Sequence, residues 1–570
     1  MSILLICCQN AEPDQPYQLN EETLQAGERL FKRHCASCHG IKEGVIGPPL
    51  GGITEIFAPE VLIDLIKEPE KVMGEMALRS KILQKKYSSV MPVFYELEKE
   101  LIVNVFAYVH HQSQVQDVKP LIVDTTSFAQ LILQPAPPVQ QSTICLKLED
   151  QLTFPHQPEQ PPDKGLATLR SHPAILGALL ISDQMGKIYL VEGRKKSLFL
   201  DLEAIVPDFI FSPGIGTGLG SFDLHPGFLQ NGLIYTTHAE KYLGKPALND
   251  GDFPDSIGVG LQWVLSEWQV ASDLRYARND RREVLRLNTP TTAHGVQDIS
   301  FVPDLPPQDA DYGNLYLGVG DGGCNNIRMP ELADTKFSLL GSILRIDPRG
   351  KNGRNGRYGI PSGNPFLEDE DKSVYKELWA YGFRNPHRIC WDRLQGNRMI
   401  VADIGEANVE EINIVERGRH YGWSHLEGNM GVDTKKDKKV VFEVSNHIRR
   451  QYHPPLGQFS HRDGKAISGG FVYQGELKDL KGKYIFGDIV TGKVFYMHMD
   501  AELQDSTIYE LSIHDQGSLT TFAEITGSTR VHLRIGYDRF AGDLFFMTKG
   551  DATLRKVIDT YVTNELWTPP

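Results

Sequence analysis

Short apolar segments recur without interruption from about residue 166 to residue 570. Ala178-Leu179-Leu180-Ile181-Ser182, Lys187-Ile188-Tyr189-Leu190-Val191 and Leu233-Ile234-Tyr235-Thr236-Thr237 are followed by Asn314-Leu315-Tyr316-Leu317-Gly318, Arg398-Met399-Ile400-Val401, Lys483-Tyr484-Ile485-Phe486-Gly487 and Asp543-Leu544-Phe545-Phe546-Met547. Most follow a Gly, Asn or Asp turn, and many are aromatic-rich, which is the mark of strands. A chain that makes strand after strand must deal with its sheet edges. The expected all-β solution for roughly 400 residues of this kind is a β-propeller of six blades. The 53 Gly and 34 Pro suit such a strand-and-turn protein.

The chain of 570 residues is too long for one ordinary domain. Residues 20–112 read as a small all-α domain. Asn20-Glu21-Glu22-Thr23 is a helix start with acids in its first turn. Leu24, Gly27, Leu30 and Phe31 continue a helical period, and Leu97, Leu101, Ile102, Val105, Phe106 and Val109 give a second helix to His110. Residues 113–165, rich in Pro and Gln, read as an extended tether, with Ile144 to Leu148 as a strand inside it that docks on the next domain. The expected order is a terminal stretch 1–19, a helical domain 20–112, a linker 113–165 and a propeller 166–570.

Net charge is −14, which argues against nucleic acid as a partner, because phosphate binding needs a basic face. No apolar run reaches the ~18 residues of a spanning helix. Leu4-Leu5-Ile6-Cys7-Cys8 resembles the end of a lipoprotein signal, without the charged n-region and with too short an apolar stretch. It leaves two readings: a lipid anchor on Cys7 or Cys8, or a plain N-terminal tail. Cys145, Cys324 and Cys390 match no zinc spacing. They read as buried free thiols, with a Cys324–Cys390 disulfide as the alternative in an exported protein.

Cys35-Ala36-Ser37-Cys38-His39 is a C-x-x-C-H motif. With 7 Cys and 18 His in the chain, about 0.003 such matches are expected by chance for a motif this specific. It reads as the covalent attachment site of one c-type haem, with thioethers to Cys35 and Cys38 and His39 on the iron. Such attachment is completed outside the cytoplasm in bacteria, so a periplasmic or envelope-anchored protein is expected. A thioether sulfur as second axial ligand favours electron transfer. Met91, before Pro92 and the last helix, is the first candidate, with Met73 and Met76 as alternatives. This order of elements resembles class I cytochromes c. The resemblance implies that Gly47-Pro48-Pro49-Leu50 packs a proline on the haem and orients His39 through a carbonyl.

Four segments carry a second resemblance. They are Ala293 to Asp304 with Leu315 to Gly323; Leu340 to Asp347 with Ile360 to Phe366; Glu377 to Pro386; and Ala402 to Glu406 with Glu410 to Asn413 and His420 to Trp423. Together they resemble the glucose/sorbosone dehydrogenase family, including soluble aldose sugar dehydrogenases. These are six-bladed propellers that use pyrroloquinoline quinone (PQQ). The resemblance implies that His294 is the general base and that Arg384 polarises the reactive quinone carbonyl. It implies that Arg384, Asn385, Arg530 and His532 contact PQQ. It also implies two calcium ions: one on the carbonyls of Gly405 and Glu406, the other on the Glu411 carboxylate and the Tyr421 carbonyl. Calcium takes such oxygens readily, and an imidazole titrates near working pH.

The chain departs from the family pattern at four places. The cofactor-binding lysine falls at Val490, with Lys493 three residues on. A Gln or Glu near the base falls at Gly216, a second arginine at His532, and an acid at Ala293. Two functions are therefore expected as rivals. One is a quinohaemoprotein dehydrogenase that oxidises a sugar or other alcohol and hands electrons through the haem to a cytochrome or respiratory chain. The other is a non-catalytic propeller that binds carbohydrate or protein, fused to an electron-transfer cytochrome c.

Overall fold

The computed structural model describes residues 17–69, 72, 83, 87, 91, 94, 97–121, 123, 136–154, 165–212, 216–244, 257–435, 437–503 and 505–563. It divides into two compact units, Met1–Ala129 and Gln130–Pro570. Among the described residues no helix is long and apolar enough to cross a membrane.

In the first unit the helix Glu21–Leu30 starts where the sequence predicts. Asn20 caps it, its side-chain oxygen accepting the Thr23 N–H at 2.9 Å. The helix runs on as a π turn, Phe31–Cys35, which delivers Cys35. The last helix, Lys99–Val115, crosses the first at Gly27, where a Cβ would lie 2.0 Å from the Asn104 carbonyl oxygen. Glycine is thus required for this approach. Phe31, Leu62, Ile102, Val105, Phe106 and Val109 form the core. The helix outruns its expected end because Ser113 is buried. Its hydroxyl donates to the Val109 carbonyl and accepts the Gly52 N–H.

The second unit is β-rich and propeller-like. Four-stranded antiparallel sheets start at Leu166–Ser171, Leu219–Leu224, Val296–Phe301 and Pro386–Asp392. A nine-stranded sheet includes Ile467–Val472 and Arg534–Asp538, and a small three-stranded sheet is made of Leu426–Glu427, Met430–Asp433 and Asp437–Phe442. These leading strands touch in succession, and Arg534–Asp538 returns to Leu166–Ser171, so they close a ring about an axis. They carry charge toward that axis. Asp298 accepts from Arg170 at 3.2 Å, Arg388 at 3.3 Å and Ser221 at 2.6 Å, binding four sheets together. The second strands, such as Ala178–Asp183 and Leu233–Glu240, are buried along their whole length. Among the described residues four one-turn helices (Leu202–Ile205, Phe228–Asn231, Asn446–Arg449 and Phe522–Thr526) interrupt the strands, so the unit is not purely β.

The stretch 113–165 is not all connector. Gln140–Thr153 is a long strand of the second unit, antiparallel to Thr553–Val562 and parallel to Tyr509–Asp515. Ile144, Leu146 and Leu148 drive this, packing into the core of Ile485, Leu533 and Val557. The strand expected at 144–148 therefore docks as predicted and is longer. Residues 1–16, including Cys7 and Cys8, lie outside the described residues. Cys145, Cys324 and Cys390 are buried free thiols, so the alternative Cys324–Cys390 disulfide is not formed.

Candidate functional site

In the first unit the turn after Cys35 brings the C-x-x-C-H residues together. The His39 N–H donates to the Cys35 carbonyl at 2.8 Å and the Gly47 N–H to the Cys38 carbonyl at 2.7 Å. His39 Nδ1 lies 2.7 Å from the Pro48 carbonyl oxygen, which fixes the proton on Nδ1 and leaves Nε2 for a metal. Burial lowers the His39 pKa, the Pro48 contact opposing it, so the ring is neutral, as a ligand must be. A Cβ on Gly47 would lie 2.5 Å from the His39 ring. Cys35 and Cys38 are both free, and burial, with Cys38 adding to it, pushes the Cys35 thiol up to about 12. Two free thiols and an oriented imidazole fit a covalently held haem. Met91 is half-buried; Met73 and Met76 lie outside the described residues.

In the second unit the expected residues sit just upstream of leading strands: His294 before Val296–Phe301, Arg384 and Asn385 before Pro386–Asp392, Arg530 and His532 before Arg534–Asp538. Each of these residues therefore lies at the end of the ring's axis at which its leading strand begins.

His294 has a left-handed backbone, φ 48°, a conformation a non-glycine residue holds only when its surroundings impose it. Gly320 is part of that surrounding, since a Cβ there would lie 2.3 Å from the His294 carbonyl oxygen. His294 Nδ1 meets Asp321 Oδ1 at 2.7 Å. The same oxygen accepts the Gly323 N–H at 2.8 Å, and Oδ2 accepts the Trp423 indole N–H at 3.2 Å. Burial pushes the Asp321 carboxyl up, but His294 and Arg384 more than offset this and hold it below its usual value. Asp321 was not foreseen. Its signal was present in Gly320-Asp321-Gly322-Gly323, an acid in a turn too tight for side chains on either flank.

Arg384 is brought to the same place, its carbonyl accepting the Asp321 N–H at 2.7 Å. Its guanidinium donates to Glu406 Oε2 from Nε at 2.9 Å and to the Ile404 carbonyl at 3.1 Å. Glu406 also pairs with Lys438. Burial pushes the Glu406 carboxyl up, and Arg384 and Lys438 bring it far below normal. The expected carbonyl polariser is thus held by an acid that the sequence reading assigned only as a carbonyl donor. Asn385 donates its N–H to Asp403, and its side-chain oxygen is buried with no hydrogen-bond partner among the described residues, as are both polar atoms of Asn325. Buried orphan groups beside an imidazole–carboxylate pair fit a polar ligand.

Arg530 and His532 form a second group, Arg530 Nε donating to His532 Nε2 at 3.2 Å. Gly216 has no side-chain amide, but its carbonyl accepts from Gln297 Nε2 at 2.6 Å. The amide expected there arrives from the strand that follows His294.

The calcium residues are partly assembled. Glu411 faces Asp403 in register, both buried. Burial, then Glu411, pushes Asp403 well above its usual range, and burial pushes Glu411 up to about 7. Glu411 accepts the Gly428 N–H at 2.5 Å. The N–H groups of Glu406, Ala407, Asn408 and Val409 all donate to Glu427 Oε1, which fixes the turn carrying Gly405 and Glu406. Tyr421 is buried on Phe383, its hydroxyl donating to the Ile414 carbonyl. Among the described residues no three His, Cys, Asp or Glu side chains are grouped to hold a metal. Backbone carbonyls would have to supply most of the ligands.

A ring of sheets with an imidazole–carboxylate pair at one axial end defines a class, and comparisons with known proteins name it. Residues 169–518 match the family model "Glucose / Sorbosone dehydrogenase", and residues 22–109 match "Cytochrome C oxidase, cbb3-type, subunit III". The chain belongs to the glucose/sorbosone dehydrogenase family and carries a cytochrome c domain ahead of it. It is 28% identical over 390 residues to the HIPL1 protein of Arabidopsis thaliana, a match covering 61% of this chain and 52% of that protein. It is 28% identical over 301 residues to the aldose sugar dehydrogenase YliI of Escherichia coli, covering 52% of this chain and 68% of that protein. The chain spans about half the length of the HIPL relatives it matches. The crystal structure of the soluble aldose sugar dehydrogenase of Escherichia coli aligns with TM-score 0.50 at 20% identity, over 73% of this chain and 99% of that one.

Proposed function

We propose that the protein is a quinohaemoprotein dehydrogenase. Its six-bladed propeller oxidises a sugar or other alcohol with PQQ, and a single covalent haem c passes the electrons to a downstream acceptor. The observation that carries this is the His294–Asp321 pair beside Arg384, in a chain that also holds an oriented Cys35-x-x-Cys38-His39.

When bound, PQQ supplies the two-electron acceptor and haem the one-electron carrier. The protein's part follows from its own residues. With Nδ1–H donated to Asp321, His294 keeps Nε2 as the base that takes the hydroxyl proton. Asp321 then stabilises the imidazolium, and Trp423 and the Gly323 N–H hold Asp321 still. Arg384, Asn385, Arg530 and His532 would hold the cofactor's oxygens and carboxylates. Guanidinium forks suit planar carboxylates. Gly405, Glu406, Glu411 and Tyr421 would hold calcium. His39 and Met91 would hold the haem iron. Fusion of the two centres removes the wait for diffusional encounter. Export to the periplasm, with or without a lipid anchor, accompanies haem attachment.

The rival binding-module reading draws on Val490 and Gly216, where groups expected for the cofactor are missing. Purified haem-loaded protein, given Ca²⁺, PQQ and a panel of aldoses and followed by haem absorbance, separates the two. Sugar-dependent haem reduction supports the enzyme. No reduction, with no PQQ bound on titration, supports the module.

A further inference from the structure

Val490, where the family's lysine is expected, is buried, and its carbonyl accepts the Val531 N–H at 2.9 Å. Position 490 therefore lies against the segment between Arg530 and His532. Lys493, the nearest lysine in sequence, is drawn to Glu510 at 2.9 Å and does not serve that corner.

A different lysine reaches the same segment from its other side. The strands Arg534–Asp538 and Asp543–Thr548 pair with Arg534 opposite Met547. Continuing that register two residues outward brings Lys549 beside His532. Lys549 is only 6% exposed. Its turn is fixed: Ala552 donates back to the Lys549 carbonyl, and Asp551 is clamped by Thr548 and Arg555. Its ammonium donates to the Gln184 side-chain oxygen, and its Nζ lies 2.9 Å from where a Cβ on Gly165 would stand. Arg530 Nε donates to His532 Nε2, so His532 carries its proton on Nδ1. Burial, then Arg530 and Lys549, hold the His532 pKa well below its usual value and the ring neutral. A guanidinium, an imidazole N–H and an ammonium thus crowd one corner. A bound polyanion relieves the repulsion that such crowding creates.

We propose that Lys549 replaces the lysine missing at Val490 and receives a carboxylate of PQQ, alongside Arg530 and His532. This rests on the PQQ reading above. The test is binding, without sugar: PQQ titrated into the haem-loaded full chain, read by tryptophan quenching or equilibrium dialysis, with melting of the PQQ-free protein as the check on folding. We expect K549Q to weaken binding at least tenfold, K549R to stay within threefold of wild type, and V490K placed in K549Q to restore affinity. Binding by K549Q within twofold of wild type overturns the inference and leaves the PQQ reading standing. A wild type that binds no PQQ overturns both. If K549Q folds poorly, V490K/K549Q carries the test: affinity within threefold of wild type supports the replacement, and a tenfold loss overturns it.

Discussion

Asp321→Asn removes one negative charge and almost none of the shape. The amide oxygen can still accept from His294 Nδ1 and the Gly323 N–H, which share one oxygen now. Its NH₂ must then face the Trp423 indole N–H, donor against donor. A buried donor left unmatched costs about 1–3 kcal/mol, offset in part because a neutral amide is easier to bury than a carboxylate. Melting should therefore fall by only a few degrees. Turnover should fall much further. Two unit charges near 4 Å interact by about 4 kcal/mol at an effective dielectric of 20. About half of that is lost at a transition state in which His294 is half-protonated. Exchanging a charge-assisted for a neutral hydrogen bond adds about 1 kcal/mol. The total, about 3 kcal/mol, is a drop of about 10²-fold in kcat. The assay is the initial rate of haem reduction at saturating PQQ and aldose, paired with a melt of the same preparation. A kcat within threefold of wild type would refute the reasoning, leaving Asp321 a packing residue and His294 without its role as base.

Met91→Ala should lower the haem reduction potential; an unchanged potential, read by spectroelectrochemistry, moves the ligand to Met73 or Met76. Glu427→Gln should cost about 2–4 kcal/mol in urea unfolding, because a carboxylate that gathers four backbone N–H groups on one oxygen becomes a neutral amide; a loss below about 0.5 kcal/mol would contradict the geometry. Burial, then Arg534 and Arg388, keep His387 neutral far below its usual pKa. The unfolded chain takes up that proton near pH 6.5, so this part of the stability is present above about pH 6.5 and is lost on acidification. His387→Gln should accordingly flatten the decline in unfolding free energy between pH 7 and pH 5, and an unchanged slope would count against it. If Gly405, Glu406, Glu411 and Tyr421 hold calcium, EDTA should lower the melting temperature and Ca²⁺, not Mg²⁺, should restore it.

The strands that were legible share a place in the fold. Six of the seven apolar segments, around Leu180, Tyr235, Leu317, Ile400, Ile485 and Phe545, are second strands, each following a leading strand. Second strands are covered on both faces, so their residues are uniformly apolar and stand out. The leading strands do not: Arg170, Asp298, Arg388 and Arg534 line the axis, and charge there hides the strand signal. The C-x-x-C-H motif stood out in the sequence because a covalent attachment site needs fixed residue types at fixed spacing. The Pro48 carbonyl came with the cytochrome resemblance. The second site was legible only where family motifs run, at His294, Arg384 and Asn385. Asp321, Trp423 and Gln297 stand inside the same motif segments and Lys549 outside them, and what each touches depends on which backbone segments the ring brings together. No spacing along the chain encodes that.

The strand Gln140–Thr153 has a consequence for how the molecule is made. Thr153 pairs with Thr553 across 400 residues of intervening chain. Ring closure is therefore a clasp whose halves leave the ribosome at opposite ends of the propeller's synthesis. Until Thr553–Val562 emerges, Gln140–Thr153 has Ile144, Leu146 and Leu148 ready and nothing antiparallel to bury them against. Contacts so distant in sequence form slowly. Folding of this ring should thus be governed by the strand Thr553–Val562, and removing it should leave Gln140–Thr153 held only by its parallel partner Tyr509–Asp515.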